Sequence, residues 1–328
     1  GKTTTKELIR SVLSASYNTY ATEGNLNNHI GIPLTLLKIK PEVQIAVIEM
    51  GANHQGEIKS YCEIVNPTHG LITNVGKAHL EGFGGEEGVR KGKGELFDHL
   101  RRQQGTAFVC TDLPHLQNMA KGIPHLFTYG ATNADVTGNW SINNSFLSVQ
   151  TEGVSINTQL IGAYNFYNVM AAVAAGKYFN INIEKICEAL EQYIPSNNRS
   201  QIVYRGTNAI ILDAYNANPS SMKAAIENFA AMQADKKIIL LGAMRELGKE
   251  SLREHQEIIN LLQKYNWDKV ILVGGDFANV SHPYLYFSDS LTAGKWFQDQ
   301  KWEYAHILIK GSRGIAMEKI LDQHLQDK

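Results

Sequence analysis

Four short stretches carry residues whose types and spacing could do phosphate and metal chemistry. GKTTT (1–5) is the closing half of the phosphate-loop pattern G-x-x-x-x-G-K-[ST]. In that pattern backbone N–H groups cradle phosphates, the Lys reaches the outer oxygens and the hydroxyl holds Mg²⁺. Gly1, Lys2 and Thr3 take those places, with Thr4 beside them. A Gly-Lys-Thr triplet also caps ordinary helices, so this stretch alone leaves both readings open. VIEMGAN (47–53) puts Glu49 at the end of an apolar strand pattern, where open parallel sheets bind ligands. A carboxylate there suits a Mg²⁺ ion bridging nucleotide phosphates; the ordinary alternative is a strand-end Glu turned to water. NVGKAHLEGFG (74–84) ends the next strand pattern with His79, on the same edge as Glu49, although a lone His is more often structural. EGVRKGKGELF (87–97) spaces Lys91 and Lys93 with glycines on a helix. Plain charges would form a solvated face, yet Gly92 and Gly94 weaken a helix and point to a close approach.

Other stretches are rich in amides and cations. ATEGNLNNHIGIP (21–33) holds Asn25, Asn27 and Asn28, readable as an Asn-capped loop or as amide donors facing substrate or phosphate. GAYNFYN (162–168) sets Asn165 and Asn168 at i, i+3 beside Tyr164, which fits a purine or a helix cap. Later, DAYNANP (213–219), LGAMRELG (241–248) and IKGSRG (309–314) each follow a strand pattern. Asp213, Arg245, Lys310 and Arg313 are therefore expected to converge on an anionic ligand, with Tyr215 and Asn216 as further substrate-binding residues and Arg199 reaching phosphates from a break in the pattern.

The elements that must position these residues alternate. Apolar runs at 44–51, 69–76 and 105–112 read as strands, with helices at 56–65 and 87–100 between them, a parallel βαβ pattern. From 129 to 161 alternating, Asn- and Gly-punctuated segments predict an antiparallel patch, followed by helices at 165–179 and 182–193. After the polar stretch IPSNNRSQ the alternation restarts, which predicts an α/β class throughout. The expected domains are 1–198, a phosphate-loop-type sheet with the antiparallel patch, and 199–328, a Rossmann-like unit.

Bulk properties exclude several classes. With 328 residues, 43% hydrophobic, 19% charged and a net charge of −1, the chain has no electrostatic reason to bind nucleic acid or an anionic membrane. Cys62, Cys110 and Cys187 are scattered without CxxC spacing, which argues against a disulfide framework or zinc site and fits a reducing cytoplasm. No apolar run approaches the roughly 20 residues of a membrane span. No strand precedes the phosphate loop, so a longer protein is expected, one that has at least one more strand or, with it, a whole further domain.

In order, GKTTT, GNLNNHIGIPLTLL, EMGAN, ITNVGKAHLEGFG, EGVRKGKGEL, YNFYN, DAYNANPSSM, LGAMRELG and KGSRG cover nearly the whole chain. This series resembles the Mur ligases, which add amino acids to the peptidoglycan precursor with ATP. The wording is most similar to the member that acts last, whose substrates are UDP-N-acetylmuramoyl-tripeptide and D-alanyl-D-alanine. The resemblance implies an acyl phosphate mechanism and gives the residues roles. Lys2 and Thr3 serve ATP and Mg²⁺, Glu49 and His79 bind metal, and Lys93 is carbamylated to become an anionic metal ligand. Asn165 and Asn168 hold adenine, Arg199 reaches ATP, and Asp213 lies at the ribose or a domain contact. It further implies a cytoplasmic monomer and little ligase activity for a chain lacking the family's N-terminal domain. Tyr164, where the family has His, and Ala243, where it has Asp, depart from the pattern. Two alternatives stay open: another ligase of the superfamily, including one acting on folate, and a nucleotide-binding module without catalysis.

Overall fold

The computed structural model describes residues 1–76, 80–143, 145–195 and 199–322. They form two compact units, Gly1–Ile194 and Pro195–Lys328. In the first, the apolar stripe after GKTTT forms helix α1 (Lys2–Ser14) and buries Leu8, Val12 and Leu13. Strands β1 (Thr19–Ala21) and β2 (Ile45–Val47) pair in parallel, with α2 (Gly31–Leu37) between them in sequence. Helix α3 (Glu57–Val65) then leads to β3 (His69–Leu71). Both β2 and β3 are shorter than their apolar runs, because the chain leaves the sheet at its C-terminal edge. The loops released there carry Glu49 and Asn74.

A six-stranded sheet runs in the order β3, β4 (Thr106–Cys110), β5 (His125–Gly130), β6 (Val136–Asn143), β7 (Phe146–Thr151), β8 (Val154–Ile161). Pairing is parallel from β3 to β6 and antiparallel from β6 to β8, as the change of pattern after residue 129 predicts. Helices α4 (Leu80–Phe83), α5 (Glu86–Gln103) and α6 (Pro114–Ala120) connect the parallel part. Helix α7 (Phe166–Tyr178) is apolar nearly all round, and such a helix belongs inside a core. Accordingly it is buried along most of its length, packed by α1, α8 (Ile183–Glu191) and β5.

The glycines of α5 have a packing cause. A Cβ on Gly92 would stand 2.4 Å from the ring of buried Phe83, and one on Gly88 1.8 Å from the Phe83 carbonyl oxygen. The helix gives up about 1 kcal/mol per glycine relative to Ala so that α4 can lie against it. Gly94 makes only an ordinary contact, at 3.5 Å from the Met119 methyl.

In the second unit the strand order is β13 (Leu285–Phe287), β12 (Lys269–Val273), β11 (Lys236–Gly242), β14 (Ala305–Lys310), β10 (Asn208–Asp213), β9 (Gln201–Arg205). All pairs are parallel except β9 with β10, an edge hairpin. Helices α9 (Pro219–Ala231), α10 (Ser251–Leu262) and α11 (Ser290–Gln298) make the crossovers. One edge therefore gathers Asp213, the loop after Gly242, and Lys310, which is the ligand-bearing edge of such a sheet.

Candidate active site

In the first unit the site starts at the N-terminus of α1. The first amides of a helix lack carbonyl partners in their own helix and carry a partial positive charge, so they suit an anion. Gly1 caps this end and cannot be larger, since a Cβ would come within 2.5 Å of Asn168 Oδ1. Thr3 Oγ1 donates to Glu49 Oε1 at 3.1 Å, and Asn27 Nδ2 donates to the same oxygen at 2.8 Å. The Glu49 amide donates to Thr22 Oγ1, and buried Lys6 donates to the Thr22 carbonyl, so the carboxylate is braced from behind. Glu49 is only 6% exposed, yet its Oε2 is buried with no hydrogen-bond partner. A buried carboxylate oxygen without a partner is costly, and a cation satisfies it. Thr3 and Glu49 thus fit Mg²⁺. No cluster of three or more His, Cys, Asp or Glu able to hold a metal occurs among the described residues. His79 lies outside them.

Lys93 projects from α5 and its Nζ donates to the Asn74 carbonyl, in the loop after β3, at 3.0 Å. Burial, together with the charge of Lys2, lowers its pKa to about 8. The two lysines therefore act on the same space, which an anion would relieve. Lys91 is exposed.

Asn165 and Asn168 form a relay. Thr5 Oγ1 donates to Asn168 Oδ1 at 2.9 Å, Asn168 Nδ2 to Asn165 Oδ1 at 2.7 Å, and Asn165 Nδ2 to the Ile161 carbonyl at 2.8 Å. Both amides are buried and fixed directly behind Gly1, with one hydrogen of each NH₂ group outside the relay. The ring of Tyr164 is 37% exposed at the start of this segment. Thr4 is half-buried and Asn25 exposed. Asn28 takes the ordinary alternative: its Oδ1 accepts the amides of Ile30 and Gly31 at the start of α2.

In the second unit the cations divide. Lys310, expected on a ligand, is 1% exposed, and its ammonium lies 2.6 Å from Asp213 and 3.2 Å from the Asn216 carbonyl. The other Asp213 oxygen accepts the Ser200 amide at 3.3 Å. This pair shapes the loop that carries Tyr215, while Asn216 Oδ1 closes a turn onto Ala217. Replacing Lys310 by Met should destabilise this unit by about 3 kcal/mol in denaturant unfolding. The figure is at the low end for a broken buried pair, because Asp213 keeps some solvent contact. In contrast, Arg199, Arg245 and Arg313 form no ion pair among the described residues. The Arg199 guanidinium stacks 3.7 Å from the Tyr215 ring centre and its Nε is buried without a partner. Arg313 approaches the same ring at 5.3 Å and donates to the Tyr215 hydroxyl at 3.4 Å; Arg245 donates to the Gly314 carbonyl at 3.3 Å. Sequence pattern passes over Lys6, Thr22 and His255. The last was visible as a polar residue in the buried 255-258-259-262 stripe of α10.

Residues 1–176 match the Mur ligase middle domain, and residues 198–313 the Mur ligase, glutamate ligase domain. The UDP-N-acetylmuramoyl-tripeptide–D-alanyl-D-alanine ligase of Bacillus subtilis is 34% identical, over 98% of this chain and 73% of its own length. That of Escherichia coli is also 34% identical, over 98% and 74%. A crystal structure of MurF from Acinetobacter baumannii superposes with a TM-score of 0.89 at 31% identity, covering 100% of this chain and 75% of that one.

Proposed function

Because this chain belongs to the Mur ligase family, we propose that it serves the ATP-dependent joining of D-alanyl-D-alanine to UDP-N-acetylmuramoyl-tripeptide, a step of peptidoglycan precursor synthesis. The observation that carries the site reading is the meeting of Thr3, Asn27 and the unpartnered oxygen of Glu49 at the start of α1. The tripeptide carboxylate attacks the γ-phosphorus of ATP; the bond to ADP breaks and an acyl phosphate forms. The dipeptide amine then attacks the acyl carbon, gives up a proton, and the C–O bond to phosphate breaks.

Gly1, Lys2, Thr3 and Thr4 hold the phosphates, Lys2 meeting the negative charge that gathers on the transferred group. Bound Mg²⁺, held by Thr3 and Glu49, would supply Lewis-acid neutralisation of phosphate oxygens. Lys93, whose amine is neutral at lower pH than an ordinary Lys, takes up CO₂ to form a carbamate and release a proton, which turns a cation into an anionic oxygen ligand. Asn165 and Asn168 present their remaining hydrogens to adenine, and Arg199 serves the phosphates. Asn25 and Asn27 line the tripeptide side, while Asn28 keeps its place at the start of α2. Arg245 and Arg313 supply cations for a substrate carboxylate, and Asp213 with Lys310 holds Tyr215 and Asn216 in place for it. Among the described residues no helix is long and apolar enough to cross a membrane.

The test is product mass spectrometry on the protein as its gene encodes it, with ATP and the UDP-linked precursors. Amide formation with D-alanyl-D-alanine on the tripeptide is expected. Amide formation only with meso-diaminopimelate, lysine or glutamate would overturn the assignment.

A further inference from the structure

One imidazole outside this mechanism holds the loop that carries Arg245. His255, on α10, is completely buried, at 0% exposure. Its Nε2 accepts the backbone N–H of Met244 at 3.1 Å. A backbone amide can only donate, so Nε2 is bare and the ring proton sits on Nδ1, which donates to the Ser251 carbonyl at 2.7 Å. The Ser251 hydroxyl donates to Asp276 at 2.5 Å, and Asn279 donates to the other oxygen of that carboxylate at 3.0 Å. Phe277 meets the imidazole edge to face, with centroids 4.7 Å apart. Tautomer and orientation are thus fixed from α10 and from the turn after β12. What the ring delivers is a single acceptor, aimed at the loop after β11.

That loop has few other anchors. The Ala243 amide donates to the Val273 carbonyl at 2.9 Å, and the Ala243 carbonyl accepts the Ser312 hydroxyl at 2.6 Å. Beyond Met244 comes Arg245 itself and then Glu246 at φ 63°, a left-handed conformation uncommon for a residue with a side chain. The Met244 amide therefore sits between the anchored start of the loop and its strained turn.

We infer that His255 is a positioning residue, which holds the Met244 amide and so fixes the backbone from which Arg245 meets the carboxylate of the amine substrate. This rests on the reading of Arg245 as a substrate-binding cation. An apolar ring in its place would leave the Met244 N–H buried without a partner, and an imidazolium would set donor against donor. The charged groups acting on the ring, Asp276 and Glu254, favour the imidazolium, but burial outweighs them and lowers the pKa below 6.5. The acceptor is therefore present at neutral pH and is lost as pH falls through that lowered value.

Steady-state kinetics of the protein as its gene encodes it, with ATP, UDP-N-acetylmuramoyl-tripeptide and D-alanyl-D-alanine, tests this. His255→Gln can place an amide oxygen near the Nε2 position, whereas His255→Asn keeps only the shorter reach to Ser251. The Asn variant should raise KM for the dipeptide about tenfold, the order expected for one hydrogen bond lost beside a charged contact, with KM for ATP unchanged. The Gln variant should stay within about twofold of the native enzyme. Equal dipeptide KM in both variants would overturn the inference. Arg245→Gln separates the two layers: if it leaves the dipeptide KM unchanged, the reading of Arg245 fails. If it raises KM while His255→Asn does not, only the role of His255 fails. Should the Asn variant not fold, the pH profile decides. Protonation of the dipeptide amine raises KM at acidic pH in every variant, so the native enzyme should show a further rise below neutral pH that His255→Gln lacks, and identical profiles in both would contradict the proposal.

Discussion

Replacing Glu49 by Gln is expected to lower kcat on the order of 1,000-fold while leaving the fold intact. The amide oxygen of Gln can keep both hydrogen bonds that Glu49 Oε1 accepts, from Thr3 and Asn27. The unpartnered Oε2, however, becomes an NH₂ group that no cation can use. A bound cation contributes several kcal/mol to phosphoryl transfer, and each 1.36 kcal/mol is a factor of ten. Thermal unfolding supplies a readout independent of turnover. In EDTA the Gln variant should be at least as stable as the native protein, because it no longer buries an unpaired carboxylate oxygen. It should also lose the additional stabilisation that Mg²⁺ gives to binding of a non-hydrolysable ATP analogue. Equal Mg²⁺-dependent stabilisation of both proteins would remove Glu49 from the metal site.

Lys93→Ala should cost a comparable factor, on the order of 1,000-fold in kcat, for the same electrostatic reason. A carbamate forms only from the neutral amine. Burial and the charge of Lys2 bring the Lys93 pKa down to about 8, so the neutral form becomes abundant as pH rises through that value and not only above the ordinary lysine range. In ¹³C-bicarbonate the native protein should show a carbamate carbon resonance that grows as pH rises through about 8. The Lys91→Ala variant should keep it, and Lys93→Ala should lack it. Added acetate should restore part of the Lys93→Ala activity by standing in for the missing carboxylate. A carbamate signal that survives Lys93→Ala would move the modification elsewhere.

Much of this architecture can be read from local pattern. The 3.6-residue stripe of α1 and the change to alternation at residue 129 both correspond to elements of the predicted kind. Strand length is not readable in this way. The apolar runs at 44–51 and 69–76 continue past the last paired residue, since Glu49 and Ile72 are still buried and most of their neighbours half-buried after the ladders end. Two cations of the second half show the limit for side chains. Pattern places Lys310 and Arg313 alike at the end of β14, but only long-range packing sets Lys310 against Asp213 and leaves Arg313 against Tyr215. Asn28 and Asn27 are adjacent and of one type, yet the first braces a helix start and the second holds Glu49. The glycines of α5 hint at a close approach, and the partner, Phe83, becomes visible only once α4 is folded against them.

In the proposed function, Thr3, Glu49 and Lys93 assemble a site that activates a carboxylate as an acyl phosphate for attack by an amine. The direct measurement uses UDP-N-acetylmuramoyl-tripeptide carrying ¹⁸O in its terminal carboxylate, together with ATP and D-alanyl-D-alanine. One ¹⁸O is expected in each inorganic phosphate released, in step with the amide product, and no release when the dipeptide is replaced by a single amino acid. Phosphate released without ¹⁸O, or at the same rate without the tripeptide, would contradict it.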